Sequence, residues 1–520
     1  MPYILSVDAG TTASKVALFD LDGKLVASST NEYKLITPSS LEVEIDAETL
    51  WNAFKTGVRD ILKSRTAPAE IKAIGISAQG ETLIPIGEDG QPLRRAIVWL
   101  DSRAQEEADI LDREFNHGSS YAITGQVKIV PTWPASKIFW LRRHEPKVFE
   151  KVSKYLLVED YLIYKMTGKF VAEGSLLCST AYWNIRTRKW WDEMLDFLGI
   201  TANQLPDIRE SGEPVDTLLP ERARELGLNR STLVSTGALD NAAGAVGVGN
   251  IRQGFFSENT GACLAICAPL EELRMDPQAK MPIHYFVRPN TYMVHTFTTG
   301  GMVLRWFRDE FCQPEIQIGV TNNVDPYDVI GTEVEQILPG SEGLVMLPHL
   351  QGAMAPESNP GARGVFYGFT LRHTKAHFAR AIMEAVACIV RRNIDAVEEM
   401  GMRVDEIRAL GGGAKSRVWK QIEADLTKKT VVTTRAEAEA CLGAAILAGK
   451  AAGLFRSVDE ACTKMVQVGE RFEPNRDNFR TYDALYTKYV QLYNDLCNLF
   501  EKERVESSQL ASVPDELTGP

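Results

Sequence analysis

The sequence predicts an α/β protein made of two related halves. Strand-like and helix-like segments alternate from the first residues onward, an order typical of α/β folds. A strand-turn-strand opening at residues 3–20 has a similar counterpart at residues 254–268. The chain has 520 residues, and since one hydrophobic core rarely serves more than about 250–300 residues, two to four domains are expected.

The first half is expected to contain three strands, a helix and a further strand. Runs rich in β-forming residues are separated by turns that contain Asp and Gly, the residues that tight hairpins use. This β-β-β-α-β order indicates an α/β domain. The expected elements are strands at residues 3–8, 14–20, 24–30 and 71–77 and a helix at residues 47–64.

The second half adds long helices. Apolar residues follow helical spacing in residues 378–400 and again in residues 482–500, with charged residues on the opposite face. We interpret both apolar stripes as surfaces that pack in a core. A strand at residues 406–410 and a helix at residues 417–427 are also expected.

We predict one domain at residues 1–248 and another at residues 249–503. Residues 504–520 are polar, contain two prolines and show no period, so a disordered tail is expected there.

Composition limits the classes of partner. With 57 Lys and Arg against 69 Asp and Glu, the net charge is −12, which argues against a general nucleic-acid binder. A small anionic ligand stays allowed, because a local site can oppose the net charge. The most apolar stretch, residues 440–448, is too short to span a bilayer. The eight cysteines form no CxxC pair and predict buried thiols of a reducing, cytoplasmic compartment.

Three Gly-rich turns carry the candidate chemistry. In the first, residues 8–15 read DAGTTASK, so Asp8 ends a strand and a Gly/Thr turn follows. A carboxylate can reach metal-bound water there while turn amides hold phosphate oxygens, a combination that suits Mg²⁺-bound phosphate. Taken alone, an ordinary hairpin turn with a solvated Asp8 is the better interpretation.

The second turn, at residues 235–247, places Asp240 between a strand and a run of tiny residues. Asp240 can be a general base that takes a proton from an attacking hydroxyl, or it can cap the following helix. The residues themselves favour neither role. The tiny residues that follow permit a close approach to another backbone or to a ligand.

The third turn, at residues 410–416, contains three consecutive glycines and permits close contact with a flat or anionic ligand. It fits neither GxxxxGK[ST] nor GxGxxG, so it predicts neither a P-loop nor a Rossmann site. A flexible connection is the alternative.

In combination, these turns describe a nucleotide clamped between two α/β domains, and the whole chain resembles the FGGY carbohydrate kinases. Further segments that are similar to this family lie at residues 134–141, 299–309, 364–369 and 377–384, in the family's order. The resemblance covers residues 3–500. It implies two ribonuclease-H-like, actin-like ATPase domains around a central cleft, with ATP and Mg²⁺ as cofactors.

The resemblance also assigns roles. Asp240 matches the catalytic base, and Asp8 matches the acid that contacts Mg²⁺ through water. Lys15 stands where glycerol kinases often have Arg, which keeps the charge. The positions expected to contact the nucleotide are Thr11, Thr12, Lys15, Thr260, Gly261, Gly301, Arg305, Gly412, Gly413 and Ser416.

The expected sugar side lies in the first half, at Gln79, Gly80 and Glu81, unless this segment is only a surface turn. Xylulose kinases have Met-His after the Gln and glycerol kinases have Arg-Glu, so only Glu81 matches, on the glycerol-kinase side. Gly80 is expected to make room for a longer substrate.

Three more residues complete the expected substrate site: Trp99, Asp101 and Asn241. Trp99 can line the carbon chain of the sugar, or it can be plain core. Asp101 can bind hydroxyls, or it can form a structural ion pair with Arg103.

The sequence therefore predicts transfer of the γ-phosphoryl group of ATP to a hydroxyl of a small sugar or polyol. Residues 299–309 favour a ketopentose such as xylulose, whereas Glu81 favours a polyol such as glycerol or erythritol. A non-catalytic actin-like ATPase and a sugar-binding pseudokinase are the alternatives of another class. No nucleic-acid or membrane partner is expected, and since family members are often dimers, the resemblance admits a homodimer.

Overall fold

The structure is a computed structural model that describes residues 2–63 and 68–511, with side chains to residue 502. The strands, in chain order, are β1 (Tyr3–Ala9), β2 (Ala13–Phe19), β3 (Leu25–Glu32), β4 (Glu44–Ile45), β5 (Ile71–Ala78), β6 (Ile84–Ile86), β7 (Ala96–Ile97), β8 (Lys154–Leu156), β9 (Val171–Glu173), β10 (Trp183–Asn184), β11 (Lys189–Trp190), β12 (Asp207–Arg209), β13 (Pro214–Thr217), β14 (Leu233–Ser235), β15 (Ala238–Leu239), β16 (Phe255–Thr260), β17 (Cys263–Leu270), β18 (Ile283–Tyr285), β19 (Tyr292–Thr299), β20 (Val345–Pro348), β21 (Gly364–Tyr367), β22 (Glu406–Leu410), β23 (Thr430–Thr434) and β24 (Val468–Phe472). The α-helices are α1 (Ala47–Leu62), α2 (Gln105–Glu114), α3 (His117–Thr124), α4 (Pro134–His144), α5 (Pro146–Phe149), α6 (Val158–Thr167), α7 (Gly174–Leu177), α8 (Asp192–Leu198), α9 (Pro220–Leu226), α10 (Asp240–Gly247), α11 (Met302–Phe311), α12 (Gln313–Asn322), α13 (Pro326–Glu335), α14 (Lys375–Glu399), α15 (Arg417–Thr427), α16 (Glu439–Ala451), α17 (Val458–Met465) and α18 (Phe479–Ala511).

The predicted strand-turn-strand openings are both present. In the first, β1 pairs antiparallel with β2 and parallel with β5, within a sheet ordered β13-β14-β5-β1-β2-β3. In the second, β16 lies between β17 and β22 and pairs parallel with β22. Each opening therefore forms the same local arrangement, a hairpin with a parallel neighbour on one side.

The helix α1 illustrates how the sequence sets these elements. It begins after Asp46, whose side chain accepts a hydrogen bond from the Glu48 amide at 3.0 Å, as N-cap residues do. Its buried residues recur at helical spacing and pack against the first sheet: Leu50, Trp51, Phe54, Val58 and Ile61. The expected end of this helix at Ser64 lies outside the described residues.

The chain divides into two compact units, and neither is continuous in sequence. The first unit comprises Met1–Gln253, Cys267–Val294 and Thr434–Val468, and the second comprises Gly254–Ile266, His295–Thr433 and Gly469–Pro520. The sequence prediction placed residues 267–294 and 434–468 in the second domain, and those domain bounds stay a prediction.

Helix α16 explains why the last segment belongs to the first unit. It is buried in the apolar cluster that contains α10. A Cβ on Gly443 of α16 would lie 1.8 Å from the Ala243 carbonyl oxygen of α10. Only glycine permits so close an approach of two backbones.

The last helix extends past residue 503, where the second domain was predicted to end. Helix α18 continues to Ala511, eight residues into the segment expected to be disordered. The reason is that residues 501–511 are rich in helix-forming Glu, Lys, Arg, Gln, Leu and Ala, and the first proline comes only at Pro514. Residues 512–520 lie outside the described part of the chain.

Candidate active site

Hydrogen bonds within the turn and from Tyr33 stabilise the turn between β1 and β2. The Gly10 amide donates to the Ala13 carbonyl at 3.0 Å, and the Tyr33 amide donates to the Thr12 carbonyl at 2.9 Å. The Tyr33 hydroxyl donates to the Gly10 carbonyl. Thr11 is half-buried and Thr12 is exposed, so the turn keeps a free outer surface.

Asp8 lies beside this turn on β1, the strand between β5 and β2. In the sheet register it stands opposite Lys15 of β2 and opposite Ser77 of β5. The Ser77 hydroxyl donates to Asp8 Oδ1 at 2.8 Å. Burial raises the pKa of Asp8, while Ser77 and the Lys15 charge act in the opposite direction. Lys15 Nζ itself donates to the Glu437 carbonyl at 3.2 Å.

Asp240 is the first residue of α10, and Leu239 occupies the N-cap position. Asp240 is therefore not the N-cap of α10, which was one of the two roles that the sequence allowed. Its Oδ1 accepts hydrogen bonds from the Asn241 amide at 2.6 Å and from Asn241 Nδ2 at 2.9 Å. Burial and the negative charges of Asp8 and Glu81 raise the pKa of Asp240 to about 7, against the hydrogen bond from Asn241.

Glu81 has an unusual backbone. Its φ of 58° lies in the left-handed region, which non-glycine residues rarely adopt without support. The support comes from Lys137 Nζ, which donates to the Glu81 carbonyl at 2.8 Å and to the Val98 carbonyl at 3.0 Å. Burial raises the pKa of the Glu81 carboxyl, while the nearby Ser179 hydroxyl and the Lys137 charge act in the opposite direction.

The sequence prediction missed Lys137 and Ser179 as residues of this site. Lys137 is fully buried, and burial lowers its pKa to about 7. A lysine among the buried residues of α4 was the available signal for it. No pattern around Ser179 pointed to the site.

Gln79 and Gly80, which precede Glu81, contact other residues of the protein. Gln79 is 3% exposed; its Nε2 donates to the Gly10 carbonyl at 3.1 Å and its Oε1 accepts from the Thr82 hydroxyl at 3.2 Å. A Cβ on Gly80 would lie 3.1 Å from Leu239 Cδ1. The Leu239 side chain therefore lies close to Gly80, and the expectation that Gly80 makes room for a longer substrate stays a prediction.

Trp99 and Asp101 are anchored in different ways. Trp99 Nε1 donates to Thr11 Oγ1 at 2.8 Å, and the ring packs against the core. Asp101 is 0% exposed; its Oδ2 accepts from the Val43 amide at 2.6 Å and from Arg103 Nη2 at 2.8 Å. Asp101 thus forms the ion pair with Arg103, and its contact with substrate stays a prediction.

In the second unit, three predicted glycines surround the turn that follows β16. The Gly301 amide donates to the Gly261 carbonyl at 2.9 Å, and a Cβ on Gly301 would lie 2.4 Å from that oxygen. A Cβ on Gly413 would lie 2.6 Å from Thr260 Cβ. Thr260, Gly261, Gly301 and Gly413 are therefore brought together, and larger side chains are excluded at Gly301 and Gly413.

The other predicted residues of this unit are more open. Gly412 is exposed and Ser416 is half-buried. Ser416 caps α15, since its hydroxyl accepts from the Trp419 amide at 3.4 Å. The Arg305 side chain is 68% exposed, with Asp309 Oδ2 at 3.8 Å as an ion-pair partner, so it extends from α11 into solvent.

A buried ionic cluster lies behind Thr260, and the sequence prediction missed it. Lys420 Nζ contacts Glu258 Oε1 and Glu423 Oε2, both at 2.5 Å. The Thr260 hydroxyl donates to Glu258. Burial and the Glu423 charge raise the pKa of Glu258 to about 8, although Lys420 opposes this shift. The cluster fixes the end of β16, where the turn begins.

Within residues 2–63 and 68–511, no group of three or more His, Cys, Asp or Glu side chains is arranged to hold a metal ion. In the same part of the chain, no helix has the length and apolar character needed to cross a membrane. The eight cysteines are all free thiols, and Cys263 is the exposed one among them.

Two family models account for most of the sequence. The N-terminal domain of the FGGY family of carbohydrate kinases matches residues 3–247, and the C-terminal domain of the same family matches residues 260–452. The chain belongs to the FGGY family. The sequence-based identification of an FGGY carbohydrate kinase is thereby confirmed.

Individual relatives are similar to this FGGY chain over nearly its whole length. A gluconokinase from Bacillus subtilis (strain 168) is 31% identical over 499 residues, which are 96% of this chain and 97% of that protein. A xylulose kinase from the same organism is 29% identical over 497 residues, 95% of this chain and 97% of that protein. The crystal structure of a ligand-bound xylulose kinase from Lactobacillus acidophilus has a TM-score of 0.88 and 28% identity, covering 96% of this chain and all of that one.

This FGGY protein is therefore an enzyme, a carbohydrate kinase that transfers a phosphoryl group to a sugar hydroxyl. ATP is the phosphate donor in this family. The predicted two-domain α/β fold is also confirmed by the likeness to solved FGGY kinases.

Proposed function

We propose that this kinase phosphorylates an uncharged sugar, a ketopentose such as xylulose, with Asp240 as the general base. The supporting observation is the pKa of Asp240, which burial, Asp8 and Glu81 raise to about 7. A general base works best when its pKa is near the working pH. Asn241 orients the carboxylate through two hydrogen bonds to Oδ1, so Asp240 can accept the proton of an attacking hydroxyl.

The charge of the sugar side favours an uncharged substrate over an aldonate. Asp8, Glu81 and Asp240 are close enough for their charges to interact. A gluconate carboxylate would be repelled by this group, whereas sugar hydroxyls can donate hydrogen bonds to it. The relatives do not choose between these substrates, since the gluconokinase and the xylulose kinase have nearly equal identity, 31% and 29%.

The residues around Asp8 fit Mg²⁺. This ion binds proteins through one or two carboxylates and takes its remaining ligands from water and substrate phosphates. Asp8 supplies such a carboxylate, fixed by Ser77 at 2.8 Å. When bound, Mg²⁺ offsets negative charge on the phosphates. The nucleotide contacts of Thr11, Thr12, Lys15, Thr260, Gly261, Gly301, Arg305, Gly412, Gly413 and Ser416 belong to the same proposal.

A coupled ADP-release assay tests the substrate. Xylulose, ribulose, pentitols, erythritol, glycerol and gluconate are supplied in turn with ATP and Mg²⁺. A ketopentose should raise the rate most; the largest rise with glycerol or erythritol would support the polyol alternative, and with gluconate it would overturn the charge argument.

The variant Asp240→Asn tests the base. We expect turnover to fall by about 10²–10⁴-fold, the usual contribution of general-base catalysis. ATP binding, measured by calorimetry, should stay within about twofold of the parent because the nucleotide contacts are untouched. Near-full turnover in this variant would exclude Asp240 as the base.

A further inference from the structure

Three buried acids of the first unit have no role in the proposed chemistry. Glu159 and Asp160 lie in the first turn of α6, and Glu173 is the last residue of β9. Their exposed fractions are 0%, 1% and 0%. Burying carboxyl groups opposes folding unless they form compensating hydrogen bonds, so the partners of these acids indicate what they do.

Glu159 holds the backbone three residues before Asp240. Its Oε1 accepts a hydrogen bond from the Gly237 amide at 2.7 Å. Gly237 also packs closely against β5, since a Cβ there would be 1.6 Å from the Ile76 carbonyl oxygen. The start of the segment that leads to Asp240 is therefore fixed on two sides.

Glu173 holds the same segment nearer to Asp240, through Ser175. The Ser175 hydroxyl donates to Glu173 Oε1 at 2.7 Å and accepts from the Leu239 amide at 2.9 Å. A hydroxyl has a single proton, so its bond to Glu173 leaves the oxygen free to accept from Leu239. Glu173 also accepts from the Ser211 hydroxyl at 2.6 Å, which fixes its own position.

We propose that Glu159 and Glu173 are positioning residues for Asp240, holding the Gly237 and Leu239 amides so that the carboxylate meets the substrate hydroxyl in line. The inference rests on the proposed role of Asp240 as the base. Proton transfer depends steeply on geometry, and a displacement of about 1 Å can lower a rate by about 10²-fold.

The chemistry of Glu159 suggests a conservative substitute. Burial and the neighbouring Glu173 charge raise the pKa of Glu159 well above its usual range, which favours the uncharged form of its carboxyl. Glutamine is uncharged, has nearly the same shape and keeps the acceptor oxygen for the Gly237 amide. Leucine has a similar volume but no acceptor.

The test compares Glu159→Gln, Glu159→Leu and Ser175→Ala in the full-length enzyme, with the melting temperature measured for each. Thr167→Ala is the matched control, because it removes a buried hydroxyl from α6 that donates to the Ile163 carbonyl at 2.8 Å and accepts from the Lys169 amide at 3.2 Å. Neither hydrogen-bond partner belongs to residues 237–240. Since Glu159→Leu can fail to fold, Ser175→Ala provides an independent measurement on the second hydrogen bond.

We expect kcat to fall by about 10- to 100-fold in Glu159→Leu and Ser175→Ala, with KM for the sugar changed by less than about threefold. Glu159→Gln should recover most of kcat, and Thr167→Ala should keep it. Folded Glu159→Leu and Ser175→Ala proteins with parental kcat would overturn the proposal, as would a Glu159→Gln variant as impaired as Glu159→Leu. The proposed function fails separately, if Asp240→Asn stays active.

Discussion

The indole nitrogen of Trp99 donates a hydrogen bond to the Thr11 hydroxyl at 2.8 Å. This bond completes a ring of contacts between the sugar-side loop and the turn after β1. Gln79 Nε2 donates to the Gly10 carbonyl at 3.1 Å, the Thr82 hydroxyl donates to Gln79 Oε1 at 3.2 Å, and the Trp99 amide donates to the Thr82 hydroxyl at 3.2 Å. The position of one segment therefore depends on the other.

The variant Trp99→Phe should show this dependence, because it keeps an aromatic ring and removes the indole donor. We expect kcat/KM to fall by about two- to tenfold, the value of one hydrogen bond. Thr11→Val should have a similar effect, and the double variant should be no worse than either single one. Steady-state kinetics for sugar and ATP provide the measurement, and strictly additive losses would contradict the coupling.

The acidic group on the sugar side predicts a pH profile. Because the pKa of Asp240 is about 7, its carboxyl is protonated below that pH and cannot accept a proton, so kcat/KM should decrease as the pH falls through 7. Glu81→Gln removes a negative charge that raises this pKa. The midpoint of the acid limb should consequently move to lower pH.

The matched control for Glu81→Gln is Asp60→Asn, which removes one negative charge from α1 in the same unit. Asp60 bonds Lys63 and Ser29, and its loss should leave the midpoint unchanged. An unchanged or higher midpoint in Glu81→Gln would show that Glu81 does not act on the base.

Much of the fold was predictable because local patterns and tertiary structure agree. The strand at residues 406–410 and the helix at residues 417–427 were predicted with the bounds that the structure has. The discontinuous units were not predictable, because the small residues of α16 give no sign of which partner they pack against. Gly443 and Ala243 are 200 positions apart in sequence, and only the fold brings their backbones together.

Candidate site residues could be proposed from the sequence where a residue type suits a chemical role at the end of a strand, as for Asp8 and Asp240. Partners of these residues were harder to predict. Asp101 fits substrate hydroxyls as well as it fits Arg103, and the sequence does not show that its side chain is buried against Arg103. Ser175 and Glu159 contact the segment before Asp240 from positions more than 60 residues away, so no spacing pattern reports them.

Because α10 and α16 pack so closely, we expect a single added methyl group to lower the stability of the protein strongly. Gly443→Ala should destabilise the protein by about 2–3 kcal/mol, since the added Cβ cannot fit at 1.8 Å from the Ala243 oxygen. Gly118→Ala is the control: Gly118 is also helical, and a Cβ there meets nothing within 4 Å. Alanine should be neutral or stabilising by about 0.5–1 kcal/mol at that position. Denaturant melts compare the two, and equal stability would contradict the packing.

Asp160 predicts how stability depends on pH. Burial and the Glu173 charge raise its pKa to about 7, whereas the unfolded chain has about 3.9. The folded state therefore binds the proton more tightly, so the contribution of Asp160 to stability is complete below about pH 4 and is lost as the pH rises through 7.

Asp160→Asn removes the titration and keeps an acceptor for the Leu157 amide, which donates to Asp160 Oδ2 at 2.8 Å. The parent should lose stability on the order of 2 kcal/mol more than the variant between pH 5 and pH 8. Melting temperatures across that range supply the comparison, and parallel curves would show that Asp160 does not bind its proton more tightly in the folded state.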